Sequence, residues 1–283
     1  MVSTPIGNLG DISSRALETL RDVTTIYAED TRRTQILTRH FGIGARLKSL
    51  HAHNERSRVS EVSAMLEAGN DCALVTDAGT PGVSDPGASL VRSISEAGFT
   101  VVAIPGPSAM LTALAVSGFS SDQFLFLGFP PRKGRLRREW LKSCADARLT
   151  VVAFESPRRL TNLLVDLVEL GLGDIAACVC RELTKVHEEV RRGTLTALVD
   201  YYDGELVRGE VTLVIDGTAR PTEDDSNSNL AEARMDAARL AKTGMSTREI
   251  ARTIQEAYEL TRNQAYETAL GAVEPGADEG VGE

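Results

Sequence analysis

The sequence predicts an α/β protein of two domains followed by a small helical unit. Three observations carry this reading. Apolar, β-prone runs alternate with helical stretches from Val23 to Ile215. Two of those runs end in loops too rich in glycine and proline to continue a strand or a helix: DAGTPGVSDPG, Asp77 to Gly87, and PGPSA, Pro105 to Ala109. Beyond a polar stretch from Thr218 to Asn229, which reads as a linker, the pattern becomes purely helical.

Taken in order, STPIGNLGDIS (Ser3 to Ser13) reads as a loop after a very short strand, since only Met1 and Val2 precede it. Asp11, Ser13 or Ser14 can cap the helix through Leu20. Val23 to Tyr27 is β-prone and ends in AEDTRRT, Ala28 to Thr34. There Glu29 and Asp30 beside Arg32 and Arg33 could orient a hydroxyl and hold a phosphate, or could form a capped helix start; the residues alone favour the cap. HAHNE, His51 to Glu55, precedes a helical stretch from Arg58 to Glu67. On a strand its two histidines would share a face, but no third metal ligand lies nearby, so no metal is expected.

The run Cys72 to Val75 leads into the first glycine-rich loop. The run Thr100 to Ile104 reads as a further strand before PGPSA and the apolar helix Met110 to Val116. In open α/β sheets ligands sit beyond the carboxyl ends of strands, where such loops let the main chain approach them closely. Gln123 to Phe129 reads as a strand ending in GFPP, followed by RKGRLRR (Arg132 to Arg138), with five cations in seven positions, and by a helix from Leu136 to Ala145. Strands then follow at Leu149 to Phe154, Ile175 to Cys180 and Gly209 to Ile215. The first two end in ESPRR and RELTK, and Pro157 suits the first turn of a helix reaching Leu170. In the tail, helices are expected at Leu230 to Lys242, Ile250 to Tyr258 and Ala265 to Leu270, the last two behind capping boxes at Ser246 to Glu249 and Thr261 to Gln264.

Composition narrows the class. At 283 residues and 42% hydrophobic content the chain can bury two cores of ordinary size. No run approaches the length that spans a bilayer, and the start lacks the pattern of a signal peptide, so the cytoplasm is the expected compartment and no membrane partner is expected. Four cysteines without a Cys-x-x-Cys read as reduced core residues. The net charge of −9 sits mostly in the tail: residues 221–283 hold 13 acidic and six basic groups, leaving −2 for residues 1–220. An acidic helical tail argues against duplex DNA, whereas the basic cluster in the nearly neutral body can meet phosphates. Neither G-x-G-x-x-G nor a P-loop occurs, which argues against a dehydrogenase or an ATPase.

Read together, TPIGNLGDIS, AEDTRRT, HAHNE, DAGTPGVSDPG, PGPSA, GFPP, ESPRR, RELTK and GEVTLVI resemble the ribosomal RNA small subunit methyltransferase I family of the tetrapyrrole methylase superfamily. The match runs in order over about residues 3 to 217, with a similar helical tail. Two features depart from it: the first strand is nearly absent here, and the body is not basic overall. The resemblance implies S-adenosylmethionine-dependent 2'-O-methylation of a cytidine in 16S ribosomal RNA. It implies two α/β domains, residues 1–118 and 119–217, with the cofactor in the cleft between them, then a linker at 218–229, a helical unit at 230–272 and a frayed end at 273–283. A homodimer is implied as well.

By similarity to the superfamily pattern, the cofactor lies against Leu9, Ala78, Gly79, Thr80, Val83, Ser108 and Ala109, with Phe154, Leu183 and Thr212 completing the pocket from the second domain. Candidates for the target ribose are Glu29, Asp30, Arg32 and Asp85, with no single base singled out. Candidates for RNA phosphates are Lys133, Arg135, Arg158 and Arg159. The same fold and cofactor serve tetrapyrrole methylation, and a non-catalytic RNA-binding assembly protein could keep the pocket as structure. AEDTR, HNE and the basic cluster favour RNA.

Overall fold

The structure, a computed structural model, describes residues 1–218, 223–258, 260 and 262–273. The chain divides into two compact units, Met1–Ala219 and Arg220–Glu283.

The first unit begins with the loop Ser3 to Ser13. Ser13 then caps α1 (Ser14–Asp22) by accepting from the Ala16 N–H, and α1 buries Ala16 and Leu20. There follow β1 (Thr25–Ala28), α2 (Thr31–His40), β2 (Arg46–Ser49), α3 (Glu55–Glu67), β3 (Cys72–Val75), α4 (Ala88–Glu96) and α5 (Ala109–Ser117). The three strands form a parallel sheet in the order β2-β1-β3. β1 is buried along its whole length, as expected of a central parallel strand.

Thr100 to Ile104 is not a strand. It makes a single parallel bridge, between Val2 and Ile104. The Val2 N–H donates to Leu74 O, and the Ile104 N–H to Met1 O. Val101 and Val102 are exposed.

The second half of this unit holds β4 (Phe124–Phe126), α6 (Gly134–Asp146), β5 (Thr150–Glu155), α7 (Leu160–Leu167), β6 (Ala176–Arg181), β7 (Glu189–Thr194), α8 (Leu195–Tyr202) and β8 (Val211–Ile215). Its sheet is mixed, in the order β4-β5-β8-β6-β7: β4 and β5 are parallel, and β8 runs antiparallel to both β5 and β6. Alternation along these strands feeds two separate cores. Val151, Ala153, Ala177, Val179, Leu213 and Ile215 pack with Leu160, Leu164, Leu195 and Leu198 of α7 and α8. The intervening Val152, Cys178, Cys180 and Val214 pack with Ala113 and Leu114 of α5. α5 thus belongs to the first half by sequence and covers a face of the second sheet. This explains why it carries no polar stripe, and it ties the two halves together directly behind the PGPSA loop.

In the second unit α9 (Glu223–Lys242), α10 (Thr247–Tyr258) and α11 (Arg262–Val273) close on a core of Ala233, Ala237, Ile250, Ile254, Leu260, Ala265 and Ala269. The helix starts at Glu223, inside the stretch expected to be linker. Residues 219–222, the second capping box at Thr261 and residues 274–283 lie outside the described residues. The first capping box forms: the Glu249 N–H donates to Ser246 Oγ, and the Ser246 N–H to the Glu249 carboxylate.

Candidate active site

Between the two halves of the first unit lies a cleft of about 460 Å³, a size that suits a nucleoside-like ligand. One wall is built where β1 and β3 end. Glu29 directly follows β1, and Asp77, Ala78, Gly79, Thr80, Val83 and Asp85 follow β3. Ser108 and Ala109 add the start of α5. The opposite wall is Phe129 after β4, Phe154 and Glu155 of β5, Leu183 after β6, and Val211 and Thr212 of β8.

The glycine-rich loop is held in a shape few residues tolerate. Gly79 adopts φ +80°, and its N–H and C=O both pair with Thr4, donating at 3.0 Å and accepting at 2.9 Å. The opening TPIGN loop and the DAGTPG loop are thereby laced together. The Ser3 hydroxyl donates to that of Thr80 at 3.2 Å, which in turn reaches Pro107 O. Three loops converge on Thr80. Small residues throughout leave the main chain bare toward the cleft, a surface suited to an adenosyl and amino-acid ligand.

The electrostatics single out a carboxylate group. Burial, and then the nearby charge of Glu29, push Asp85 up to about 6. Burial followed by Asp77 raises Glu29 as well. Asp77 accepts from the Asp30 N–H and lies 3.5 Å from Arg33, the cation that lines this cleft. Two carboxyl groups whose protonation is shifted toward neutrality, facing one cleft, can accept a proton from a bound hydroxyl.

Nine of the ten residues expected to meet the cofactor line the cleft. The exception, Leu9, packs instead against the core of the first sheet, among Val2, Ala16 and Leu20. The candidates for the ribose divide. Glu29 and Asp85 line the cleft; Asp30 and Arg32 do not. Asp30 caps α2 through the Arg32 N–H at 2.9 Å, and its carboxylate is held near 2 by the Arg32 guanidinium. Arg32 is 88% exposed.

The basic cluster also divides. Arg159 is bound to buried Glu155 and to Pro130 O, Arg137 to Asp166 and Pro131 O, and Arg135 to exposed Glu139. Arg132, Lys133, Arg138 and Arg158 are exposed and make no ion pair among the described residues.

HAHNE acts as a brace: Glu55, buried at the start of α3, accepts from the Leu90 N–H at 2.8 Å and so caps α4, whose own first residue follows a glycine. The rings of His51 and His53 stand 6.0 Å apart and edge-on. No group of three or more residues able to hold a metal ion occurs among the described residues, and no helix is long and apolar enough to cross a membrane.

Comparison with known proteins gives a consistent result. Residues 1–199 match the family of Tetrapyrrole (Corrin/Porphyrin) Methylases. A Ribosomal RNA small subunit methyltransferase I from Synechocystis sp. is 42% identical over 95% of this chain and 96% of its own length. The proteins of that name from Thermotoga maritima and Escherichia coli are 44% identical over 77% of this chain and 97% of theirs, and 40% identical over 95% and 93%, respectively. Among solved structures, a cobalt precorrin-4 methyltransferase covers 78% of this chain and 95% of its own at TM-score 0.59 and 18% identity. The uroporphyrin-III-C-methyltransferase of Thermus thermophilus covers 77% of this chain and 93% of its own at TM-score 0.54 and 17% identity, so both establish the fold alone.

Proposed function

Since the chain belongs to the ribosomal RNA small subunit methyltransferase I family of tetrapyrrole methylases, we propose that it methylates the 2'-oxygen of a cytidine in 16S ribosomal RNA with S-adenosylmethionine as donor. The observation that carries this reading is the pairing of Glu29 and Asp85 with the bare-backbone loops Ala78–Thr80 and Ser108–Ala109 in one cleft. When bound, the donor supplies a methyl group on a positively charged sulfur, so no metal is needed to activate it.

The chain's own residues then have two tasks. The loops fix the donor so that the 2'-oxygen approaches in line, and alignment of this kind supplies most of the acceleration. Asp85, assisted by Glu29, takes the 2'-hydroxyl proton, for a further factor of about 10² to 10⁴. The boundary between the two domains falls at residues 118 and 119. Lys133 and Arg158, with the neighbouring Arg132 and Arg138, meet RNA phosphates, and Arg135 contributes once it leaves Glu139. The reading extends to a homodimer working in the cytoplasm, checked by light scattering and cell fractionation.

The deciding experiment is transfer of labelled methyl from S-adenosylmethionine to small ribosomal subunits lacking the modification, with a tetrapyrrole precursor as parallel acceptor. Label at a cytidine 2'-oxygen is the expected result. Label on the tetrapyrrole alone would overturn the substrate, and donor binding without transfer to either would leave a binding protein.

A further inference from the structure

Phe129 closes the GFPP turn with 56% of its surface exposed, yet it lines the cleft. Its ring stands 5.4 Å from that of Phe154 at a 55° tilt, and Phe154 meets Phe126 at 5.0 Å. Phe126 and Phe154 are anchored in β4 and β5, so a row of three rings rooted in the sheet ends in one that is open to the cleft.

A second observation fixes where this open ring sits. Gly128 adopts φ +59°, and a Cβ added there would come within 3.2 Å of Ser84 Oγ. Ser84 itself adopts φ +62°, unusual for a residue with a side chain. Gly128 O accepts from the Phe154 N–H at 2.9 Å, which secures the turn to β5. The residue before Asp85 and the residue before Phe129 therefore touch, while Asp85 and Phe129 themselves both line the cleft. A carboxylate and an open aromatic ring flank one end of it.

Proteins that recognise single-stranded RNA splay out its unstacked bases and hold them by stacking on aromatic side chains. We propose that Phe129 is the platform on which the base of the target nucleotide stacks, with the attached ribose turned toward Asp85 and Glu29. This rests on the RNA reading above and deepens it. Stacking on a neutral ring accepts any base, so Phe129 holds the nucleotide in place and leaves the choice of cytidine to other groups.

The test has two arms. In the first, methyl transfer to small ribosomal subunits is measured alongside donor affinity for Phe129→Ala, Phe129→Leu and Phe129→Trp. The alanine variant should lose on the order of 10- to 100-fold in kcat/KM for the subunit while donor affinity stays within about twofold. Tryptophan should restore the rate, whereas leucine should not. In the second arm, the indole introduced by Phe129→Trp is read by fluorescence against the buried native Trp140. A small-subunit RNA hairpin containing the cytidine should quench it, and donor alone should not. Donor affinity falling in step with rate would make the ring a wall of the donor's adenine pocket. Equal rates for leucine and tryptophan, or no quenching by RNA, would likewise overturn the proposal. Quenching by RNA in a protein that transfers no methyl would uphold the platform and sink the activity instead.

Discussion

The main-chain N–H of Asp30 donates to Oδ1 of Asp77 at 3.0 Å, joining the ends of β1 and β3 one residue from Glu29. Asp77 therefore does two things: it fixes the backbone that presents Glu29, and it raises the proton affinity of Glu29 by its charge. The two effects can be separated. Asp77→Asn keeps an acceptor oxygen and loses the charge, so the fold should hold while Glu29 returns toward the ordinary carboxylate range. Asp77→Ala also loses the acceptor and should destabilise the protein by about 1 to 2 kcal/mol. Chemical denaturation distinguishes the two variants.

As the proposed proton acceptor, Asp85 should set the pH dependence of the reaction. With its proton lost only near about 6, kcat/KM should rise from pH 5 to pH 7, and Asp85→Asn should remove that rise along with about 10² to 10⁴ of the rate. The same shift has the opposite effect on stability. A carboxyl group raised above its unfolded value contributes stability in its protonated form, and that contribution is lost as pH rises through about 6. Asp85→Asn should therefore melt at a higher temperature than the parent at pH 7.5, with the advantage fading below pH 6. A melting series across pH checks this.

Asp30 and Glu29 should part company in the assay. Asp30→Ala removes the α2 cap and should lower the melting temperature, Asp30→Ser should recover most of it, and both should retain transfer activity. Glu29→Gln should do the reverse, slowing transfer while the melting temperature at neutral pH holds or rises.

Gly79→Ala tests the loop proposed to face the donor. At φ +80° a Cβ costs about 1 to 2 kcal/mol, and relaxing that strain moves the main chain of Ala78 to Thr80. Titration calorimetry with S-adenosylmethionine should show a loss of affinity of roughly tenfold or more.

The arginines separate by what they already hold. Arg159→Ala strands Glu155, whose side chain is fully buried, and should destabilise the fold by on the order of 3 kcal/mol. Replacing Lys133, Arg138 or Arg158 by Ala should leave stability unchanged and reduce the slope of log K against log salt by about 0.7 to 0.9 for each phosphate no longer neutralised. Binding to a small-subunit RNA fragment at several salt concentrations measures it.

The sequence discloses those parts of the molecule where local chemistry and fold agree. The glycine loops, the apolar strands β3, β5, β6 and β8, and the capping box at Ser246 are recognisable because each needs its residue types for reasons internal to the segment. The edge strands β2, RLKS, and β7, EVRRGT, are invisible in it, since edges carry charge on purpose and so look like loops. Glu29 against Asp30, and Arg33 against Arg32, are not separable there either. Neighbouring residues at a strand-to-helix turn point in different directions, and only the fold decides which meets the cleft. Asp77 gives no functional signal of its own, because it has the look of the first residue of a turn.

The middle strand of the second sheet is also the last to be made. β4 with β5, and β6 with β7, are pairs of neighbours in the chain, but no strand ladder joins one pair to the other until β8 enters between β5 and β6. On the ribosome these pairs therefore emerge as two separate ribbons, and a chain stopped before Val211 has no continuous second sheet. Thr212 sits opposite Phe154 in that final pairing. The far wall of the cleft is thus completed in the closing step of assembly, so a nascent chain gains the ability to hold its ligand only when the slow, long-range part of folding is over.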